Sequence, residues 1–289
     1  AGLVQGASKG EGLGNKFLAH IRECDAILQI VRGFKDDNII HVHGDVNPKR
    51  DIEIIEAELM LADLQTLEKR LDKARSEART GKKEAIAAAA LLEKIEGALN
   101  KGVMLNQLEL TDEEKLGVRD LHFLTIKPQL YVVNVKEDEL QNFPEFIGTH
   151  MPGISPSSIV PVCAKIEEEL VELPPAEAKE LLNAVGIPES GLNSIIRQAY
   201  DLLGLMTYFT AGVQEVRAWQ VPKGAKAPQA AGVIHTDFEK GFIKAEVVSY
   251  KDYIASGGEQ QAKEKGLLRL EGKDYTVQDG DVMHFRFSS

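Results

Sequence analysis

The sequence has few of the features that mark secreted, membrane or disulfide-stabilised proteins. It contains only two cysteines, Cys24 and Cys163, which indicates a reducing compartment. Its longest apolar run, Ala85 to Leu92, has eight residues, whereas a helix needs about 20 to cross a bilayer. The first residues show no signal-peptide pattern. We therefore expect a cytoplasmic protein with no membrane partner.

The sequence also lacks an excess of positive charge. Its 34 lysines and arginines stand against 45 aspartates and glutamates, which gives a formal net charge of −11. This charge disfavours an indiscriminate polyanion binder, and nothing in the sequence indicates a specificity for DNA. A length of 289 residues with 43% apolar side chains predicts a folded protein of two domains or slightly more.

Residues 50–79 form the first strongly patterned segment. Apolar side chains recur there mostly every three or four residues, as on an amphipathic helix. Thr80 and Gly81 end this helix, and Glu84 to Leu99 form a second one, which predicts an antiparallel helical hairpin. The segment from Lys69 to Lys83, at the tip of the hairpin, carries seven basic and two acidic side chains.

Short apolar runs flank this hairpin in the sequence. Three of them are apolar along most of their length, as parallel strands buried on both faces are: Ala26–Val31, Leu130–Asn134 and Ile159–Cys163. Helical stretches lie between them or follow them: Asn15–Glu23, Lys165–Glu172 and Leu192–Leu203. A capping box at Thr111 and Glu114 predicts a further short helix that ends near Leu121. The alternation predicts an α/β domain with a mostly parallel sheet, interrupted by the helical hairpin.

The pattern changes at about Leu205. Short strand-like runs separated by turns predict a separate small α+β domain there: Val216–Val221, Ile243–Ser249, Tyr275–Val277 and Val282–Phe287. The chain is therefore expected to divide into four segments. Residues 1–49 and 122–204 form the two parts of the α/β domain, residues 50–121 form the helical insertion, and residues 205–289 form the C-terminal domain.

The chain begins with a glycine-rich segment that precedes a helix. Five glycines lie within the first 15 residues, and such a turn lets backbone N–H groups approach phosphate oxygens, although an ordinary flexible loop has the same composition. The full string, Ala-Gly-Leu-Val-x-Gly-Ala-x-x-Gly-x-Gly-Leu-Gly, resembles the switch II motif of Obg-related P-loop NTPases. With the segments Thr210–Trp219 and Lys226–Phe242, it makes the chain similar to the Obg-like ATPases of the YchF subfamily.

This resemblance implies a Mg²⁺-dependent enzyme that hydrolyses ATP, or GTP, and signals its nucleotide state by switch motion. In the family an aspartate, the P-loop lysine and the Mg²⁺-binding serine or threonine come before the residue that matches Ala1. We therefore expect a fragment with no metal ligand of its own, inactive by itself. Gly2 matches the glycine that meets the γ-phosphate, and Leu3 replaces a water-orienting glutamine. His41 and His43, in a polar loop, are the local candidates to position the water, and the resemblance favours His41, for which a solvated loop histidine is the alternative.

Two short motifs resemble the base-binding loops of these NTPases. Asn134-Val135-Lys136-Glu137 follows a strand and matches the Asn-Lys-x-Asp motif of GTPases, with a longer acid at the fourth position. This change disfavours guanine, while Asn134 can still pair with adenine and Val135 can pack on the base. Cys163, Ala164 and Lys165 resemble the Ser-Ala-Lys loop. The alternatives are a simple turn for the first motif, a buried thiol for Cys163 and a solvated helix start for Lys165.

The C-terminal segment resembles a TGS domain, which implies a β-grasp fold and an association with RNA or the ribosome. Its own charge is balanced, with 11 basic and 11 acidic residues, so the basic hairpin tip is the better candidate for phosphate contacts. The candidate residues, for which a solvated helix end is the alternative, are Lys69, Arg70, Lys73, Lys82 and Lys83. Two other functions stay open: a ribosome-binding or RNA-binding regulatory factor in which hydrolysis is incidental, and a GTPase.

Overall fold

The computed structural model of the chain describes residues 13–41, 44–213 and 215–288. Gly2 and the rest of the glycine-rich motif up to Gly12 therefore lie outside the described residues, as does His43. The chain divides into two compact units, residues 1–199 and residues 200–289. Among the helices described, none combines the length and the apolar character that a bilayer crossing requires.

The first unit contains a parallel sheet of three strands in the order β1-β2-β3, with bounds Ile27–Arg32, Gln129–Asn134 and Ile159–Val162. Arg32 pairs with Asn134, and Asn134 pairs with Val162, so the carboxyl ends of all three strands meet at one edge. The predicted α/β class with a parallel sheet is confirmed. The burial predicted for β1 is wrong, because Leu28 and Ile30 are 40% and 77% exposed on this edge strand of the described sheet.

Nine helices of the first unit lie within the described residues: α1 Leu13–Glu23, α2 Pro48–Ala78, α3 Lys83–Asn100, α4 Asp112–Gly117, α5 Glu137–Gln141, α6 Phe143–His150, α7 Ala164–Glu172, α8 Pro175–Val185 and α9 Gly191–Leu202. The start of α2 follows from its sequence, because the Asn47 side chain accepts a hydrogen bond from the Arg50 N–H and Pro48 occupies the first turn. Gly81, with a φ of +75°, lets the chain turn back into α3.

The helical hairpin predicted from periodicity is present. α2 has 31 residues, a length of about 46 Å, and its apolar stripe packs against that of α3. The shared core contains Leu67, Leu71, Ala74, Ala89, Leu92, Ile95 and Leu99. The Thr111–Glu114 capping box is formed, but α4 ends at Gly117 rather than near Leu121. A short 3₁₀ turn, Arg119–Leu121, follows it and stops before His122, whose φ of 46° cannot continue a right-handed helix.

The second unit is a mixed sheet covered by helices. Its strands have the order β5-β4-β8-β6-β7, and their bounds are β4 Leu205–Ala211, β5 Val216–Pro222, β6 Phe242–Ser249, β7 Arg269–Glu271 and β8 Asp281–Phe287. The helices are α10 Ala227–Ile234, α11 Thr236–Lys240, α12 Tyr250–Ser256 and α13 Glu259–Glu264. β4 and β8 are parallel neighbours, and α10 packs on the sheet, where the Tyr208 hydroxyl donates to the Ala230 carbonyl at 2.8 Å. This is the arrangement of a β-grasp domain.

One predicted strand of this unit is wrong. The segment Tyr275–Val277 forms only an isolated bridge between Thr276 and Lys226. The carboxylate of Asp281 explains the difference, because it accepts hydrogen bonds from the Tyr275 hydroxyl at 2.7 Å and from the Gln278 N–H at 2.9 Å. These bonds bend the segment into a turn before β8. β4 and β7 were not predicted.

Candidate functional site

The carboxyl edge of the parallel sheet brings together the two loops that the sequence assigns to base binding. Oδ1 of Asn134, the last residue of β2, accepts a hydrogen bond from the Ala164 N–H at 3.1 Å. The Val135 N–H donates to the Val162 carbonyl at 2.9 Å, which joins the ends of β2 and β3 through the backbone. The Asn134 side chain therefore fixes the position of the loop after β3.

Val135 does not face the surface. It is 2% exposed and belongs to an apolar cluster that includes Val133 and Phe146. This burial contradicts the expectation that Val135 packs on a base, because almost none of its surface is accessible. Gly33, at the end of β1, explains the tight packing: a Cβ there would lie 2.9 Å from Cγ1 of Val135 and 3.0 Å from Cζ of Phe146. No sequence motif indicates Gly33.

The other predicted base-site residues differ in exposure. Glu137, the first residue of α5, is exposed, as are Ala164 and Lys165 in the first turn of α7. Cys163 is 5% exposed and packs against Ile166, which agrees with a buried small residue rather than a reactive thiol. Of the predicted base-site residues, those that a ligand could reach at this edge are therefore Asn134, Glu137, Ala164 and Lys165.

Glu167 is a second residue that sequence reasoning missed. Its carboxylate accepts hydrogen bonds from the Gly191 N–H at 2.7 Å and from the Leu192 N–H at 3.3 Å, so it caps the start of α9. A Cβ at Gly191 would lie 2.9 Å from Cγ2 of Val162. Together these contacts hold the start of α9 against the end of β3, beside the Asn134–Ala164 hydrogen bond.

His41 lies next to a carboxylate. Its Nε2 is 3.0 Å from Oδ2 of Asp51, and the two side chains are only 15% and 18% exposed. Asp51 lies in the first turn of α2, and its backbone carbonyl accepts a hydrogen bond from Nε2 of Gln29 on β1 at 3.3 Å. The imidazole of His41 is thereby held against the start of α2, which Gln29 joins to β1, and His41 is not a fully solvated loop residue.

Two arginines hold the loop between β1 and α2. Arg32 donates to the backbone carbonyls of three loop residues: Phe34 at 3.0 Å, Asp36 at 3.2 Å and Ile39 at 2.9 Å. On the other side of His41, Arg50 donates to Oδ1 of Asp45 at 2.7 Å, and this hydrogen bond holds the pKa of the Asp45 carboxyl below its ordinary value. No sequence pattern signalled these contacts.

The basic tip of the hairpin is less positive than its composition implies. All five candidate residues, Lys69, Arg70, Lys73, Lys82 and Lys83, are exposed. Arg70 lies 3.6 Å from Asp120 and Lys73 lies 3.8 Å from Glu77, while Arg75 is within 3.1 Å of both Glu93 and Glu96. Within the described residues, the tip cations outside any salt bridge are Lys69, Arg79, Lys82 and Lys83. Three of these surround the Gly81 turn.

Comparison with known proteins identifies the family. The family model YchF-GTPase_C, described as a protein of unknown function, matches residues 205–288. The chain is 54% identical over 289 residues to the ribosome-binding ATPase YchF of Escherichia coli O157:H7, covering 100% of this chain and 80% of that protein. The chain belongs to the YchF family. The ribosome-binding ATPase YchF of Bacillus subtilis is 52% identical over 294 residues, with the same coverage.

A solved structure agrees with this membership. The YchF GTPase of Schizosaccharomyces pombe superposes with a TM-score of 0.76 at 37% sequence identity, over 98% of this chain and 78% of that one. The resemblance to YchF proteins drawn from the switch-like motif and the C-terminal segments is therefore confirmed. The bacterial relatives are named ATPases and the yeast protein is named a GTPase, so the names alone do not distinguish adenine from guanine as the preferred base.

At the carboxyl edge of the parallel sheet, the described residues include no group of three potential metal ligands. Across residues 13–41, 44–213 and 215–288, the one group of three or more side chains that could jointly hold an ion is Glu246, Glu259 and His284, in the C-terminal unit. Among Asn134, Glu137 and Lys165, only Glu137 offers a carboxylate, and Oδ1 of Asn134 is engaged by the Ala164 N–H, so they supply fewer oxygen ligands than the octahedral shell of Mg²⁺ requires.

Proposed function

We propose that this YchF-family chain supplies the base site and switch region of a Mg²⁺-dependent NTPase that hydrolyses ATP to ADP and phosphate. We propose further that its helical hairpin and TGS-like domain associate with the ribosome or its RNA. The observation that carries the nucleotide proposal is the hydrogen bond from the Ala164 N–H to Oδ1 of Asn134, at the carboxyl edge of a parallel sheet. The relatives' name supports the ribosome proposal.

Asn134 and Glu137 are the two residues proposed to favour adenine over guanine. Because Oδ1 of Asn134 is engaged by Ala164, its Nδ2 is the group proposed to donate to a ring nitrogen of the base. Glu137 is exposed at the fourth motif position, where a carboxylate one methylene longer than aspartate is displaced from the two N–H donors of guanine. Val135 supports Asn134 from the core and makes no contact with the base.

The phosphate end of the site is assigned to Gly2 and His41. Gly2 is proposed to meet the γ-phosphate through its N–H, and Leu3, which follows it, has no polar group to orient water. His41, held by Asp51, is proposed to position the water that attacks the γ-phosphorus, while the bond to the β–γ bridging oxygen breaks. The 289 residues contain no Gly-x₄-Gly-Lys-Ser/Thr motif, so we propose that this chain alone does not hydrolyse ATP.

Titration with fluorescent ATP and GTP analogues tests the nucleotide proposal. The titrations use the intact protein. Asn134→Ala is expected to weaken ATP binding at least tenfold, whereas Asn193→Ala, an exposed asparagine on α9, leaves it unchanged. Glu137→Asp is expected to shift affinity towards GTP. A wild-type preference for GTP would refute the adenine assignment and favour the GTPase alternative.

Cosedimentation with ribosomes tests the second part of the proposal. Replacing Lys69, Arg70, Lys73, Lys82 and Lys83 by Glu is expected to abolish association. A second variant replaces Arg79, Lys82 and Lys83 by Glu. It should weaken association and reduce the dependence of association on salt concentration, because those cations are outside salt bridges in the described tip. The matched control replaces three exposed lysines outside the hairpin tip by Glu: Lys101, Lys115 and Lys179. Unchanged sedimentation of the tip variants would contradict the proposal.

The same tip cations favour one alternative function, a ribosome-binding or RNA-binding factor in which hydrolysis is incidental. The two functions differ in their response to a non-hydrolysable ATP analogue. If hydrolysis drives the cycle, the analogue should trap the protein on the ribosome and prevent its release. If association is the whole function, the analogue should support it as well as ATP does, with normal release on dilution.

A further inference from the structure

Three potential metal ligands from three different elements meet on the C-terminal sheet. Glu246 on β6 and His284 on β8 are direct cross-strand partners, and Glu259 is the first residue of α13. One ligand atom of each side chain lies within 4.8 Å of the other two, and Nδ1 of His284 is 3.9 Å from an oxygen of Glu259. No other such group occurs in the part of the chain that the structure describes.

These side chains line a very small cavity. Its volume is 10 Å³, which is room for about one water-sized sphere, and the rest of its wall includes Val248, Tyr253 and Met283. The cavity is too small for an organic ligand, so the three polar side chains in its otherwise mostly apolar wall suit a single ion. Two carboxylates and one imidazole form a ligand set that selects a cation rather than an anion.

We propose that Glu246, Glu259 and His284 form a binding site for a Zn²⁺-like divalent cation. An imidazole nitrogen with two carboxylates is a ligand set that Zn²⁺ accepts at about 2.0 to 2.2 Å, with water in the fourth position. Tetrahedral coordination places ligand atoms roughly 3.4 Å apart, so the three side chains need to close in by about 1 Å. Mg²⁺ and Ca²⁺ prefer all-oxygen sets, and His284 selects against them.

A neighbouring arginine supports one ligand. Arg286 donates from a guanidinium nitrogen to Oε2 of Glu246 at 3.0 Å, which restrains a carboxylate whose side chain is only 15% exposed. Such a contact outside the ligand set orients the carboxylate for the ion. The bound ion would join α13 to β6 and β8, so we expect it to raise the thermal stability of the C-terminal unit.

Zinc titration of the intact, untagged and metal-free chain tests the site. At pH 7.5, with a chromophoric chelator as competitor, we expect one Zn²⁺ per chain and a rise in the unfolding temperature. Co²⁺ should give visible d–d absorption of a site with nitrogen and oxygen ligands. His284→Asn should weaken binding at least tenfold and remove the thermal shift, and Glu259→Gln should also weaken it. Mg²⁺ at the same concentration should produce neither effect.

The matched control is His235→Asn, because His235 is also an exposed histidine near a carboxylate, 3.4 Å from that of Asp237, outside the proposed site. It should bind Zn²⁺ as the wild type does. The unfolding temperature without metal should agree between the His284 variant and the wild type, which separates lost binding from lost folding. Absence of zinc binding by the wild type, or equal binding by His284→Asn, would overturn the proposal.

Discussion

Thr125 donates both its backbone N–H and its hydroxyl to one oxygen of Asp63, Oδ2, at 2.8 and 2.7 Å. The other oxygen accepts the Leu124 N–H at 2.8 Å, and the Asp63 side chain is completely buried. Asp63 lies on α2, whereas Leu124 and Thr125 precede β2, so this carboxylate joins the hairpin to the returning chain. Arg22 on α1 lies 3.6 Å away, which brings a third element to the same point.

Replacing Asp63 with Asn is expected to destabilise the first unit by about 2 to 4 kcal/mol. Burial raises the pKa of the Asp63 carboxyl, but three hydrogen bonds and Arg22 oppose that effect. An amide would direct its NH₂ group at a backbone N–H, leaving buried donors without an acceptor. Urea unfolding measures the loss, and Asp72→Asn, at an exposed site on the same helix, is the control. Equal stability of the two variants would contradict this assignment.

Gly33→Ala and Gly97→Ala should change stability in opposite directions. A Cβ at Gly33 would lie within 3.0 Å of Val133, Val135 and Phe146, so overpacking should destabilise the protein by about 1 to 3 kcal/mol. A Cβ at Gly97, inside α3, would meet no atom within 4 Å, and alanine there should stabilise by roughly 0.5 to 1 kcal/mol. Thermal unfolding of both variants checks the pair. A loss of stability in both would show that the hairpin, too, is tightly packed at Gly97.

Glu56→Gln should change how stability depends on pH. Burial raises the pKa of the Glu56 carboxyl above its ordinary value of 4.5, although the hydrogen bond from the Tyr131 hydroxyl partly opposes it. The folded state therefore binds the proton more tightly than the unfolded state does. This contribution is fully present below pH 4.5 and is lost as pH rises through the folded pKa.

The glutamine variant cannot titrate at this position, so its stability relative to the wild type should increase as the pH rises above 4.5 and level off once the pH exceeds the folded pKa. Urea unfolding at a series of pH values measures the difference. Glu68→Gln, at an exposed site on the same helix, should give a flat difference. A relative stability of Glu56→Gln that falls with rising pH would contradict the sign of the shift.

The elements that the sequence predicts best are those with a strong local pattern. α2 and α3 follow from apolar spacing, and β2 and β3 from short apolar runs, because these signals lie within the elements themselves. The predicted strand at 275–277 has the right composition, but the Asp281 carboxylate decides its conformation from outside the segment. β7 has only three residues, which is too short for a periodic signal.

In the candidate site, too, local motifs predict some residues, whereas contacts with distant parts of the chain determine others. Motif resemblance indicates Asn134 and Ala164, yet neither motif predicts that the two are hydrogen bonded 30 residues apart. Glu167 and Gly33 act on partners distant in sequence, through a cap and a close approach, so no local pattern marks them. The motif misassigns Val135 because position in a motif does not determine whether a side chain faces the ligand or the core.

Asp51→Asn is expected to reduce ATP hydrolysis through its effect on His41. Asp51 holds the imidazole at 3.0 Å, and the amide would lose the charge that orients it. In the intact protein, we expect kcat to fall about tenfold to a hundredfold, as with other supporting carboxylates, while the KM for ATP changes little. Single-turnover hydrolysis measures this effect. Asp37→Asn, at an exposed site in the same loop, should retain wild-type activity.

A double variant distinguishes a positioning role from an independent one. If Asp51 acts only through His41, the loss of kcat in His41→Ala should be larger than in Asp51→Asn, and the double variant should be no slower than His41→Ala alone. If the losses of kcat in the two single variants multiply in the double variant, Asp51 contributes by another route, such as its hydrogen bonds from Arg50 at 3.3 Å. Wild-type kcat in His41→Ala would remove His41 from the mechanism, and the water would then need another polar group.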